Sequence, residues 1–216
     1  MFKYFKLYNV GFKKIRVGPN KDGGYVLLKE PSKKISNLLS FGVENNIDFE
    51  VDFNNKFRPI STKLYDHTVD KLPRKNNNFL FKKKGLGIKK NKKFDTLENI
   101  TKKFDKNNIL KIDIEFDEWD IFENLSIDTL LKFKQIICEF HLFFLDENDV
   151  DSNNQLTPYF KQFSKDNYKK INKLLLKRYE NVFKKLNNHF TIFHISANNS
   201  LPIKKLFRKK FPQLLE

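Results

Sequence analysis

The sequence predicts an α/β fold built on a mostly parallel sheet. Two observations carry that prediction. Short apolar runs alternate with amphipathic, helix-like stretches along the chain. The most informative run, Ile109-Leu110-Lys111-Ile112-Asp113-Ile114-Glu115-Phe116-Asp117-Glu118-Trp119-Asp120, passes from a buried strand through acidic residues straight into a helix-like segment. In an open parallel sheet, ligands bind outside the carboxyl ends of the strands. Carboxylates placed there are site candidates, whereas one buried mid-strand would lose its hydration without compensation.

The elements follow in order. Residues 3–29 hold the turn Gly18-Pro19-Asn20-Lys21-Asp22-Gly23-Gly24 and a short strand at 25–28. A strand at 35–41 enters Gly42, and 48–57 reads as a helix. A second strand, 63–66, ends on Asp66, and a third is expected at 79–81 with a turn at 85–87. A helix opens at 95–100, capped by Asp95 or Thr96 with Glu98 in its first turn. The fourth strand is 109–114. Residues 119–133 place Phe122, Leu125, Leu130 and Phe133 near helical spacing, and the fifth strand is 135–141. Residues 146–158 read as a polar loop, 159–186 as a helix with lysines on its outer face, 190–195 as a sixth strand, and 201–216 as a basic helix with an apolar tail. The lysine clusters at 82–84 and 89–93 read as solvated loops. The chain is read as one domain, with a lead-in at 1–34, a core at 35–200 and the basic helix at 201–216.

Composition bounds the function. A chain of 216 residues that is 39% hydrophobic, with 24 Phe, can bury a full core. No apolar run approaches the ~20 residues of a membrane-spanning helix. The lysine-broken start, Met1-Phe2-Lys3-Tyr4-Phe5-Lys6, has no continuous apolar region of a signal peptide. The single cysteine, Cys138, allows no internal disulfide, fits a reducing cytoplasm and reads as a buried, inert thiol. The net charge of +16 points to a polyanionic partner. A second reading is codon bias: Lys, Asn and Phe abound, Ala occurs only at 197, and Arg, the residue suited to bidentate phosphate and base recognition, only at 16, 58, 74, 178 and 208.

The candidate chemistry sits at strand exits. Gly42 lets the backbone pass close to a ligand, and the following helix could receive an anion or carboxylate. This is not a G-x-G-x-x-G fingerprint, because Glu44 holds the second glycine place. Asp66 stands where a carboxylate accepts from ribose hydroxyls. Alternation along strands would put Asp113 and Glu115 on one face of the fourth strand and Glu139 and His141 on one face of the fifth. If those strands are neighbours, the four side chains converge. They could abstract a hydroxyl proton or hold a divalent ion. His194 could join them, while His67 and His189 read as surface or loop residues.

These residues, in this order, resemble the FkbM-like group and the related methyltransferase-like domain family of S-adenosylmethionine-dependent methyltransferases. The resemblance runs from about Gly18 to Asn199. It rests on Asp22-Gly23-Gly24-Tyr25-Val26, Ser40-Phe41-Gly42-Val43 with Phe49-Glu50, Tyr65-Asp66, Thr96-Leu97, Leu110 to Glu115 with Glu118-Trp119, Glu139-Phe140-His141, and His194 with Asn198-Asn199. The family has Gly where Glu44 stands, Asp and Ser where Asn46 and Asp48 stand, and small residues where Phe116 and Asp117 follow the Asp-Ile-Glu.

The resemblance implies a Rossmann-like class I methyltransferase fold, here short of its last strand. It implies S-adenosylmethionine held by Asp22, Gly23, Phe41, Gly42, Val43, Glu44, Asp66, His67, Asp113, Ile114 and Glu115. Gly42 would lie against the methionine part and Asp66 against the ribose. It further implies O-methylation of a sugar or nucleotide-sugar hydroxyl, with Asp113, Glu139 and His141 as the catalytic set. In a metal-assisted variant the same three would hold a divalent cation. The rivals are an RNA methyltransferase that uses the lysine-rich surface and a non-catalytic basic binding module on the same fold.

Overall fold

Five apolar runs of the sequence's first two thirds become the strands of one parallel sheet. The computed structural model describes residues 2–20, 22–30, 34–144, 168–197, 204–206, 209–211 and 214–216. Contacts group the chain, read from sequence as one domain, into two compact units. One is Tyr8–Phe140 with Glu216, and the other is Met1–Leu7 with His141–Leu215.

The larger unit opens with a hairpin of β1 (Lys13–Val17) and β2 (Tyr25–Lys29). β1 has no apolar signature, since three of its five residues are Lys or Arg and most of it is exposed. That is why the sequence reading passes over it. The side chain of Gln135 clamps the hairpin by accepting from the Leu28 N–H and donating to the Leu28 carbonyl, at 2.9 and 3.0 Å.

β3 (Asn37–Phe41) leads into α1 (Asp48–Phe57), which matches the expected helix. The buried Phe49 and Phe53 of α1 pack with Val17, Tyr25, Leu27, Leu38 and Ile109 into one apolar cluster. Then come β4 (Ser61–Tyr65), β5 (Phe79–Lys82), and the short parallel pair β6 (Gly85–Leu86) and β7 (Phe94–Asp95), where only a turn was expected. α2 (Leu97–Ile100) is capped by the Thr96 hydroxyl, which accepts from Asn99 N–H. β8 (Asn108–Ile112) is buried at every residue, as a parallel strand covered on both faces must be.

The single helix expected over 119–133 is two: α3 (Glu118–Asn124) and α4 (Ile127–Leu130). Leu125 is extended, and the Ser126 hydroxyl starts a new helix by accepting from Thr129 N–H. β9 (Phe133–Cys138) completes the sheet.

The sheet is all parallel, with order β5-β4-β3-β8-β9. The chain starts at the centre, moves outward through β4 and β5, and returns to the other side of β3 at β8. This α/β arrangement is compatible with a Rossmann-like fold. The reversal between β3 and β8 is a topological switch point, where such sheets bind ligands. Register aligns Phe41 with Tyr65 and Ile112, and Ile112 with Cys138. The next residues, Asp66, Gly42, Asp113 and Glu139, therefore stand in a row on one rim.

The smaller unit contains a 3-10 turn (Phe2–Tyr4) and α5 (Tyr168–Asn187). Phe5 meets Phe183 edge-on at 4.8 Å between ring centres. The Tyr179 hydroxyl bonds both the N–H and the carbonyl of Phe143. The sixth strand expected at 190–195 is not formed; only Ala197 makes a bridge, to Leu215. The basic helix expected at 201–216 is replaced by an antiparallel pair, Lys204–Leu206 with Lys209–Phe211. The loop read at 146–158, the first part of the helix read at 159–186, and Asn198 and Asn199 lie outside the described residues. No described helix is long and apolar enough to cross a membrane.

Candidate functional site

The rim is built around a glycine that nothing can replace. Gly42 has φ of +72°, and a Cβ there would stand 1.5 Å from the Asp113 carbonyl oxygen. Two residues on, Glu44 takes φ of 39°, a left-handed conformation that glycine adopts most readily. The turn is fixed by Asp66. Its Oδ2 accepts from the N–H groups of Val43 and Glu44, at 3.1 and 2.9 Å. Its Oδ1 accepts from the N–H and hydroxyl of Thr68, at 2.7 and 2.6 Å. Burial pushes this carboxyl up, but the Thr68 hydroxyl and the three N–H groups outweigh it and hold Asp66 below the usual carboxylate range. Four donors fill the two oxygens' lone pairs, so Asp66 acts here on the loop.

A small recess of about 100 Å³ opens beside this turn. That is below the roughly 300–1,000 Å³ of sites that enclose a whole small molecule, so it would hold one part of a larger ligand. Phe41 and Tyr65, stacked at 4.8 Å, form part of its wall. Leu86 and Phe94 form another part, with the His67 ring 4.7 Å from Phe94. Gly85 keeps this wall low, because a Cβ would come within 2.6 Å of the Phe94 ring and 2.8 Å of His67 Nδ1. Carboxylates of Glu44, Asp113, Glu115 and Asp117 complete the lining. Burial, then the charges of Asp120 and Glu118, raise the Asp117 pKa above the ordinary value, opposed by His67.

Behind the recess lies a buried polar chain. Lys111 Nζ donates to the Gly42 carbonyl at 2.7 Å and stands 3.5 Å from Asp113 Oδ2. The Tyr25 hydroxyl lies 3.0 Å from Asp113 Oδ2 and 3.2 Å from Glu139 Oε2. Burial, followed by the Asp113 and Glu139 charges, pushes the Tyr25 phenol well above its ordinary value. Glu50, on α1, accepts from the Ser40 hydroxyl at 2.5 Å, and burial raises its carboxyl too.

Of the expected cofactor residues, Phe41, Gly42, Glu44, Asp66, His67, Asp113, Ile114 and Glu115 line the recess. His67, read by itself as a surface or loop histidine, is exposed in a loop and also lines the recess. Val43 is buried beneath the turn and reaches Asp66 through its N–H. Asp22 and Gly23 do not line the recess; Gly23 sits in the turn before β2, against Asn46.

The expected convergence by strand alternation holds in part. Asp113 and Glu139 meet through Tyr25. Glu115 does not follow the alternation, because β8 stops at Ile112 and Glu115 turns to φ of 51°. Glu139 likewise falls just past β9. His141 belongs to the smaller unit, where it is buried, and His194 is half-buried there outside any strand. Within the larger unit, Glu139 also lies near Asp22 and Glu216, with one oxygen of each within 4.8 Å of the others. Metal ligation by Asp113, Glu139 and His141 was expected from residue types.

Several wall and support residues escape the sequence reading: Tyr25, Lys111, Thr68, Gly85, Leu86, Phe94 and Asp117. A lone lysine inside an apolar strand is a usable signal, since it must find partners. Nothing in the sequence marks Phe94. No protein-family model, no curated protein and no solved structure matches this chain.

Proposed function

We propose that this protein is an S-adenosylmethionine-dependent O-methyltransferase acting on a sugar or nucleotide-sugar hydroxyl. One observation carries the reading. The recess lies at the switch point of a parallel sheet, against a glycine turn that admits no side chain, with Asp66 and Asp113 on either side of Gly42 along the rim. Two positions where a Cβ would collide, Gly42 and Gly85, let the Asp113 carbonyl and the Phe94 and His67 rings close against the backbone of the lining. The low wall of Leu86, Phe94 and His67 suits a planar base, and the carboxylates suit hydroxyls and a cationic centre.

The bound cofactor would supply a sulfonium methyl, already a strong electrophile. The chain's own part is then to orient an acceptor and remove its proton. Asp113, on the lining and linked through Tyr25 to Glu139, would take that proton. Lys111 holds the Gly42 carbonyl and so ties the turn to the same carboxylate. A cytoplasmic setting accords with a single, buried cysteine.

The test is transfer of labelled methyl from S-adenosylmethionine to panels of sugars, nucleotide sugars and RNA. Label on a sugar hydroxyl, lost in Asp113→Asn, is the expected result. Label found only in RNA, or none at all despite bound cofactor, overturns it.

A further inference from the structure

The positive charge of this chain is not evenly spread. Residues 71–94 carry ten Lys and Arg and no Asp or Glu, against a net charge of +16 for the whole chain. Lys and Arg make up ten of these 24 residues, against 42 of 216 in the whole chain, an enrichment of about twofold. The segment's position is specific as well. Its second half forms a loop, residues 87–93, whose two feet are walls of the recess. Gly85 and Leu86 precede it, Phe94 follows it, and β6 and β7 pair in parallel at its base.

The loop is held in one shape. Gly85 N–H donates to the Lys93 carbonyl and Gly87 N–H to the Asp95 carbonyl, both at 2.9 Å. Asn91 Oδ1 accepts from the N–H groups of Lys93 and Phe94 at 2.8 Å. Lys89, Lys90, Lys92 and Lys93 are all exposed and make no ion pair among the described residues. The arm's other cations are partly committed: Arg74 to Asp48, and Lys83 to Asp70.

We infer that the four-lysine loop at the mouth of the recess is a phosphate-receiving surface for an acceptor that carries a diphosphate, as a nucleotide-activated sugar does. The inference rests on the methyltransferase reading and names the acceptor class for the same site. Four ammonium groups on a short, fixed loop match a compact cluster of phosphate charge. Lysine binds phosphate as a point charge and needs no planar fork, and a pre-shaped loop loses little freedom on binding. A single-stranded nucleic acid would need exposed rings on which to stack its bases. The arm's three rings do not offer them: Phe79 is buried, and Phe81 and Phe94 are half-buried.

The test titrates the full chain at low salt with pyrophosphate, with ADP and with a short single-stranded RNA. It repeats the series on the variant Lys89→Gln/Lys90→Gln/Lys92→Gln/Lys93→Gln. Each titration is run beside S-adenosylhomocysteine. Pyrophosphate and ADP should bind the native chain, weaken with added salt, and lose at least about tenfold in affinity in the variant. S-adenosylhomocysteine should bind both proteins alike, because the exposed loop lysines are not in the recess lining. Failure of the native chain to bind pyrophosphate and ADP, or equal binding by the variant, overturns the inference. So does binding of RNA alone through these lysines. Loss of S-adenosylhomocysteine binding by the native chain instead overturns the methyltransferase reading, and the two failures are read from different titrations.

Discussion

Removing the Tyr25 hydroxyl tests the polar chain behind the recess. Tyr25 is 2% exposed, and its oxygen faces Asp113 at 3.0 Å and Glu139 at 3.2 Å. One hydroxyl carries one proton, which cannot make two full bonds to two acceptors. The hydroxyl therefore donates to one of the two carboxylates at a time, and its oxygen holds them together. Tyr25→Phe deletes the shared partner and leaves two carboxyl groups facing a ring edge. A hydrogen bond to a charged group contributes about 1.5–3 kcal/mol, so loss of this bridge should cost about 2–4 kcal/mol at neutral pH. Lys111, 3.5 Å from Asp113, keeps the figure from rising further.

Urea unfolding followed by circular dichroism measures the effect. The alkaline limb adds a sign test. The folded chain holds the Tyr25 proton above the ordinary phenol value of 10.0, while the unfolded chain releases it there. This group's contribution is thus complete below about pH 10 and falls as pH rises beyond it. Tyr25→Phe should flatten that fall. A change under about 0.5 kcal/mol, typical of a neutral surface site, with an unaltered alkaline limb would refute the reasoning.

Three further outcomes are expected. Gly42→Ala drives a methyl into the Asp113 carbonyl, so it should cost roughly 3 kcal/mol in urea unfolding and abolish S-adenosylhomocysteine binding in calorimetry. With the ring removed in both proteins, Phe116→Gly should be more stable than Phe116→Ala by about 1 kcal/mol, since residue 116 sits at φ of 77° and a left-handed conformation costs a side chain roughly 1–2 kcal/mol; equal midpoints, or a more stable alanine protein, would contradict this. Asp66→Ala strips the acceptor from three N–H groups and should cost about 2–4 kcal/mol at neutral pH. Because the folded Asp66 carboxyl titrates below its ordinary value of 3.8, its contribution is present above about pH 4 and is lost as pH falls through the lower folded value. The penalty of Asp66→Ala should therefore shrink in acid, as urea unfolding across pH would show.

The sequence was most legible where burial dictates residue type. β8 is apolar apart from Asn108 and Lys111 because every one of its residues is buried, and α1 is amphipathic because Phe49, Glu50 and Phe53 are buried, with Val51 and Phe57 packed partly against the core. Gly42 and the acidic strand ends were legible because a parallel sheet exposes them on one rim. Legibility failed where pairing, and not an apolar face, makes the strand. β1 is lysine-rich, mostly exposed and held by its pairing with β2, and 204–206 and 209–211, read within a basic helix, pair as strands. The site was misread where regular alternation was carried past a strand's end. Glu115 and Phe116 turn left-handed after β8, so spacing by two says nothing about where Glu115 points. Tyr25 and Phe94 lie far in sequence from the rim, and only tertiary pairing brings them to it.

The central claim is that the recess beside Gly42 holds S-adenosylmethionine or its product. Calorimetric titration of the native chain with S-adenosylhomocysteine, beside the Gly42→Ala protein, tests it most directly. The account predicts one saturable site on the native chain and none on the variant. A native chain that takes up no S-adenosylhomocysteine, or a variant that binds it as well, would contradict it.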